Sequence, residues 1–177
     1  METERLIIRK AQCGDEADLY EIRNSEFVLK YNCMNKITKE RLGEQITKDA
    51  ESDEVFHIVL KETGRVMGNI DLSADTLRYG VKALGLSYYL GEEYGSRGYM
   101  TEALREMIRY AFEERQAEVL SVRVFKDNTA SRRLVEKLGF VSEGCIRSCV
   151  RGYDKELHDD MIYSMLKEEY IHLLKMV

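Results

Sequence analysis

The sequence predicts an α/β (α+β) domain in three layers, a central mixed β-sheet with helices on both faces. Three observations predict it. Leu84–Glu114 reads as strand, glycine loop, helix. Leu120–Phe140 reads as strand, helix and the start of another strand. Strand–helix–strand passages imply parallel neighbours joined by right-handed crossovers. Val55–Lys61 and Arg65–Leu72 are apolar-rich runs joined by Glu62-Thr63-Gly64, which signals an antiparallel hairpin. A sheet holding both kinds of pairing is mixed, and helices cover its faces.

The elements follow in order. Arg5–Lys10 reads as a first strand. Asp15–Asn24 reads as a helix capped by Asp15, with Ala17, Leu19, Tyr20 and Ile22 as apolar contacts. Phe27–Asn35 is a loop or short helix. Thr38 caps a helix to about Ala50, with Leu42, Gln45 and Ile46 on one side, and Glu51-Ser52-Asp53 ends it. After the hairpin, Ser73–Lys82 is a polar turn. Leu84, Leu86, Tyr88 and Leu90 alternate with smaller or polar residues, the period of a strand. From Met100 the period changes, because Met100, Ala103, Leu104, Met107, Ile108, Ala111 and Phe112 fall on one helical face. Leu120, Val122 and Val124 mark the next strand. Asp127-Asn128-Thr129 opens a helix whose inner face is Ala130, Leu134, Val135 and Leu138, with Gly139 at its C-terminal cap. Phe140 begins a strand to about Val150, Arg151–Glu156 is a polar turn, Asp160–Leu166 is the last strand and Lys167–Leu174 a last helix.

The 177 residues are enough for one domain with a core, and one domain over 1–177 is expected. The chain has no proline, no internal repeat and no shift of composition to divide it. No apolar run approaches a membrane span, and the start Met1-Glu2-Thr3-Glu4-Arg5 has no signal-peptide core, so a cytoplasmic protein that does not bind membranes is expected. A net charge of −5 disfavours nucleic acid as a partner and mildly favours a cationic substrate. Cys13, Cys33, Cys145 and Cys149 lack Cys-x-x-Cys spacing and read as free thiols. They and three scattered histidines suggest no metal site.

The chemical signal lies in the glycine loop. Gly91, Gly95 and Gly98 separate the strand from the helix. The first turn of a helix has N–H groups without partners and a positive dipole end, and glycines let the backbone approach a bulky anion. Such a loop is a main-chain phosphate site, although most short Gly-x-x-Gly loops are only turns. No Gly-Lys-Ser/Thr follows, and the dinucleotide Gly-x-Gly-x-x-Gly is missing.

Gly95-Ser96-Arg97-Gly98-Tyr99-Met100-Thr101-Glu102-Ala103 resembles the acetyl-CoA pyrophosphate loop of the GNAT superfamily of N-acetyltransferases. It is most similar to the branch of ribosomal-protein N-terminal acetyltransferases and spermidine acetyltransferases. That loop is usually Gln/Arg-x-x-Gly-x-Gly/Ala. Gly95 stands at the first position and Met100 at the last, so only Gly98 matches strictly. Val122–Phe140 resembles a second family segment, Asn-x-x-Ser/Ala followed by a Leu-Gly-Phe-like end. The two motifs stand in the family's order and spacing, and the order of elements also matches the family fold.

The resemblance implies direct transfer of an acetyl group from acetyl-CoA to an amine, either a protein N-terminus, a polyamine or another small amine. Gly95, Ser96, Arg97, Gly98, Tyr99, Met100 and Thr101 match the pyrophosphate loop. Tyr88, Tyr89 and Leu90 match the strand end that pairs with the pantetheine arm, and one of the two tyrosines is expected to face the core. Asn128 matches the asparagine that bonds that arm, a role compatible with capping the helix. Arg132 and Arg133 could reach nucleotide phosphates or could be a solvated face. Relatives place a tyrosine seven residues after the asparagine to protonate the thiolate, but here that position is Val135. Ser131 stands where ribosomal-type relatives carry a serine and is the candidate to hydrogen-bond the sulfur. For the base, Glu102 lies in a first helical turn where a structural role is favoured, and deprotonation through water stays open. Asp159, in Leu157-His158-Asp159-Asp160, resembles a His-Asp preceding the last strand of spermidine-type relatives and is the candidate for amine binding or loop orientation. Homodimers are common in the family, which leaves a homodimer open by analogy alone, and the residues do not fix the oligomeric state. A non-catalytic CoA-binding protein is the alternative, kept open by Gly95 and Val135, and a plain interaction domain is a third reading.

Overall fold

The computed structural model describes residues 1–175. In chain order the elements are β1 (Leu6–Lys10), α1 (Glu16–Asn24), α2 (Glu26–Leu29), α3 (Lys39–Asp49), β2 (Val55–Leu60), β3 (Val66–Ala74), β4 (Ala83–Leu90), α4 (Tyr99–Arg109), β5 (Val119–Phe125), α5 (Thr129–Lys137), β6 (Val141–Arg151), β7 (Leu157–Leu166) and α6 (Lys167–Lys175). The strands form a seven-stranded mixed sheet in the order β1-β2-β3-β4-β5-β7-β6. β4 and β5 are parallel, while β1–β2, β2–β3, β5–β7 and β6–β7 are antiparallel. This is the α/β fold with a mixed sheet that the sequence predicts. The chain comprises two compact units. The first holds Met1–Asp71, Tyr88–Leu104 and Gly152–Asp154, and the second holds Leu72–Ser87, Arg105–Arg151 and the residues from Lys155 onward.

In the first unit, β1 pairs with β2 from Leu6–Leu60 to Lys10–Phe56, and the hairpin partner β3 follows. α1 packs on α3. Their apolar faces and the strands build a core of Ala11, Leu19, Leu42, Ile46, Val59 and Val66, with Tyr89 packed against it. Each leucine, isoleucine and valine among them contributes roughly 1.5–3 kcal/mol on burial. Thr38 caps α3 as expected, since its hydroxyl accepts from the Arg41 N–H at 3.3 Å. Asp15 does not cap α1. It occupies the N-cap position, but its carboxylate accepts from Arg9, His57 and the Gln12 N–H instead. Two charged or ring donors outcompete one helical N–H for the same oxygens. Gly68 lets β3 and the end of β4 close up, because a Cβ there would meet the Tyr89 carbonyl oxygen at 2.4 Å.

In the second unit, the parallel ladder runs from Ala83–Val119 to Leu86–Val122. The buried residues include Leu84, Leu86, Met107, Phe112, Leu120, Val122, Val135 and Leu138, as their periodicity predicts. The helical run after the loop ends differently from expectation. Regular α-helix stops at Arg109, and Tyr110–Glu114 form a π-turn that keeps Ala111 and Phe112 buried. Phe112 stacks on Tyr170 of α6 with centroids 4.9 Å apart. In α5, Val135 and Leu138 are buried and Leu134 half-buried, but Ala130 is exposed and does not belong to the inner face. Gly139 follows the Leu138 cap. β7 begins at Leu157, three residues earlier than expected, so Asp159 lies within the strand. Among the described residues, no helix is long and apolar enough to cross a membrane.

Candidate functional site

The first unit carries the glycine loop. A short 3-10 turn, Glu92–Tyr94, leads into Gly95, and the chain then takes left-handed conformations at Ser96 (φ 58°) and Gly98 (φ 81°) before α4 starts at Tyr99. Left-handed residues beside a helix start are a setting in which backbone N–H groups can meet an anion. Ser96, Arg97 and Gly98 are exposed, Gly95, Tyr99 and Thr101 half-buried, and Met100 buried. Gly98 is fixed by its φ, and a Cβ there would also stand 3.4 Å from the Arg5 guanidinium.

Arg5 and Thr3 hold this loop in place. Arg5 Nη1 donates to the Arg97 carbonyl at 3.0 Å, and its guanidinium carbon lies 4.4 Å above the Tyr99 ring. Glu102 accepts from Arg5 Nε at 2.7 Å, the Arg5 N–H at 2.8 Å and the Thr3 hydroxyl at 2.6 Å. Burial opposes the Glu102 charge, but these donors outweigh it and hold the carboxyl below its ordinary value of 4.5. A carboxylate so engaged is an anchor. Nothing in the sequence reading pointed to Arg5 or Thr3, because the pairing joins positions 97 and 99 residues apart.

Tyr88, Tyr89 and Leu90 form the half-buried end of β4. Of the two tyrosines, Tyr89 packs against the core, and burial raises its phenol pKa. Tyr89 also lines a cavity of about 70 Å³ within the first unit. The cavity has apolar walls that include Leu19, Leu42 and Ile46, and its polar groups include Arg23, Gln45, Asp49, His57, Asn69 and Asp71. His57 is 2 % exposed. Its Nδ1 lies 2.5 Å from Asp15 Oδ2, and Arg9 donates to both oxygens of the same carboxylate at 2.7 and 2.8 Å. Burial opposes the Asp15 charge, yet Arg9 and His57 prevail and hold its carboxyl far below the ordinary 3.8. Asp49 is the reverse case, since burial raises its pKa. The sequence reading missed His57 and Asp15 as site residues. The available signal was a histidine inside an otherwise apolar strand, VFHIVL.

The second unit carries the α5 start. The Asn128 side chain accepts from the Ser131 N–H at 3.1 Å, so it caps the helix. Ser131 is half-buried one turn in, and Arg133 is exposed. Arg132 is occupied by the protein itself, donating to the Tyr163 hydroxyl at 3.1 Å and the Lys126 carbonyl at 3.2 Å. Val135 is fully buried, so the position where relatives carry tyrosine is part of the core. Asp159 accepts from the Ser148 N–H at 2.9 Å and from Lys126 Nζ at 3.1 Å. The Ser148 N–H, then Lys126, hold its carboxyl below the ordinary value. Ser148 sits where the β6–β7 register shifts, with φ 49°, so Asp159 orients that irregular stretch. Asp160 pairs with Arg123 at 2.8 Å. Among the described residues, no group of three or more His, Cys, Asp or Glu could hold a metal ion.

These features agree with what known proteins share. Residues 5–141 match the family described as the acetyltransferase (GNAT) domain. The chain is 25 % identical over 170 residues to the uncharacterized N-acetyltransferase YnaD of Bacillus subtilis strain 168, covering 95 % of this chain and 97 % of that one. A GNAT-family acetyltransferase from Bacillus anthracis shares the fold with a TM-score of 0.85 at 25 % identity, over 95 % of this chain and 98 % of its own. The spermidine N-acetyltransferase from Vibrio cholerae, solved with CoA and spermine, shares the fold with a TM-score of 0.82 at 17 % identity, over 96 % of this chain and 99 % of its own. With the family model matched over residues 5–141 and the same fold in solved relatives, the chain belongs to the GNAT family of N-acetyltransferases.

Proposed function

We propose that the protein moves an acetyl group from acetyl-CoA to a primary amine by direct attack on the thioester. The observation that carries this reading is the exposed loop Ser96–Gly98, left-handed at both ends and opening α4. Backbone N–H groups of Ser96–Thr101 would take the pyrophosphate, as at other helix N-termini, while the Gly95 N–H is bonded to the Glu92 carbonyl at 2.9 Å. The end of β4, Tyr88–Leu90, would pair with the pantetheine arm, and Asn128 would bond its amide. Exposed Arg133 would meet the nucleotide phosphates. Arg132 is less suited, since Tyr163 and Lys126 already hold it. Ser131 would hydrogen-bond the departing thiolate. The family match spans residues of both units, which supports one acetyltransferase domain over the chain.

The acceptor is the least constrained partner. In the acidic stretch Glu51–Glu54, Asp53 is paired with Lys10. Asp159 and Asp160 are likewise matched to Lys126 and Arg123, which argues against either as a polyamine anchor. The spermine-bound relative keeps polyamines among the amines to test.

Thermal unfolding tests the cofactor assignment. Acetyl-CoA at one hundred times its dissociation constant should stabilise the wild type by about 2.7 kcal/mol. Gly98→Glu, which puts a charged side chain where φ is 81°, should melt cooperatively but lose that ligand-induced rise. A wild type unmoved by acetyl-CoA would sink the assignment.

A further inference from the structure

His57 is a buried titratable group that the cofactor assignment leaves unused. It is 2 % exposed and lines the cavity of the first unit. Asp15 next to Arg9 is an ionised carboxylate, able only to accept. The proton between Asp15 and His57 therefore sits on Nδ1, which leaves Nε2 as the ring nitrogen open to proton exchange. Among the described residues, the bond to Asp15 is the one hydrogen bond that the ring makes. An acidic residue that orients a histidine through Nδ1 and stabilises its cation is the arrangement that makes imidazole a base.

The cavity suits one kind of guest. Gln45 is exposed at its rim and Met34 and Asp49 are half-buried, while Leu19, Leu42, Ile46, His57 and Asn69 are buried. It therefore runs from solvent to the imidazole. At about 70 Å³ it has room for a few waters or an unbranched aminomethyl head. Asp49 is a half-buried carboxylate without an ion-pair partner among the described residues, so an entering ammonium group would offset its desolvation. The charged and titratable groups around His57 are Asp15 at the α1 start, Arg9 on β1, Arg23 on α1, Asp49 on α3, Asp71 on β3 and Tyr89 on β4. Arg23 is turned to the Asn35 carbonyl at 3.0 Å.

We propose that His57, anchored by Asp15, is the base that takes a proton from the primary ammonium group of the acceptor. This rests on the acetyl-transfer reading. One proton of R–NH3⁺ passes to Nε2 and then through cavity water to solvent. The freed lone pair attacks the thioester carbon, forming the C–N bond. The C–S bond breaks as the tetrahedral adduct collapses, and the second nitrogen proton ends on the leaving sulfur. The products are the amide, CoA thiol and one proton. Tyr89 belongs to both the cavity lining and the strand end assigned to the pantetheine arm, which links the base to the cofactor.

The test compares wild type and His57→Gln, with spermidine and an alanine-terminated peptide amide as acceptors and thiol release as the signal. The variant should keep the acetyl-CoA-induced melting shift. Its kcat/KM should fall by about 10²–10⁴-fold and lose the acid-side limb of the pH profile. The gap should narrow toward pH 10, where the amine deprotonates unaided. A variant within about threefold of wild type, with the same profile, overturns the proposal while leaving acetyl transfer intact. A wild type that neither binds acetyl-CoA nor transfers acetyl overturns the reading beneath it, and the base falls with it. Should His57→Gln fail to fold, the wild-type imidazole signals decide, assigned with His158→Gln and His172→Gln. Spermidine should shift the His57 Cε1–H resonance, and no shift at saturating amine overturns the assignment.

Discussion

Glu102 is decided by its donors. Two come from Arg5 and one from Thr3, so the carboxylate spends its charge on fixing the N-terminal strand to the start of α4. Its folded pKa is depressed, so its contribution is present above the unfolded value near 4.5 and is lost as pH falls through the folded value. Glu102→Gln should therefore cost about 1–2 kcal/mol at pH 7, discounted because Arg5 is partly exposed, and less at pH 3. Urea unfolding at the two pH values measures it, and an equal cost at both would show that shape rather than charge matters. Gly98 was legible in sequence because few residues tolerate a left-handed turn before a helix. Arg5 was not, since no local pattern announces a partner 97 residues away. Asp15 misled for the opposite reason. It has the residue type and place of an N-cap, but Arg9 and His57 are stronger donors than a helical N–H.

At the scale of the element, α5 joins a cap and a candidate cofactor contact in one side chain. Asn128→Ala should lose the bond to the Ser131 N–H and destabilise by about 0.5–2 kcal/mol. Asn128→Ser should restore most of that stability, because a hydroxyl oxygen can still cap. If Asn128 also serves the pantetheine amide, the serine variant should keep a raised KM for acetyl-CoA despite its recovered melting point. Recovery of both together would reduce Asn128 to a cap. Helices with strong periodicity were readable, as Leu42 and Ile46 in α3 and Val135 and Leu138 in α5 show. Ala130 was misplaced because alanine carries too little apolar surface to demand burial. The sequence starts β7 at Asp160, three residues late, because the polar pair His158-Asp159 carries no strand pattern, yet Phe125 stacks on His158 and Asp160 is buried against Arg123. Pairing across strands, absent from local sequence, makes these polar residues a strand.

At the scale of the whole molecule, the order of strands and helices carried the fold, and two spaced motifs carried the family. The acceptor site was not legible, because its candidate groups are scattered over α1, α3, β2, β3 and β4 and meet only after folding. Of the acidic residues in the loops and strand ends, Asp53 pairs with Lys10 and Asp159 with Lys126. The anchor of the glycine loop has a further consequence, which concerns time. A contact between residues 5 and 102 closes one of the longer loops in the first unit, and such closures come late because their entropy cost precedes their reward. The loop proposed to hold the pyrophosphate is thus among the last features to be born and the first to be lost. Acetyl-CoA should leave the refolding rate of the chain almost unchanged and slow its unfolding, as expected of contacts missing from the transition state. Stopped-flow traces with and without the ligand would show it. In a cell, a half-folded copy would hold no acetyl-CoA, so the ligand would stabilise only finished molecules.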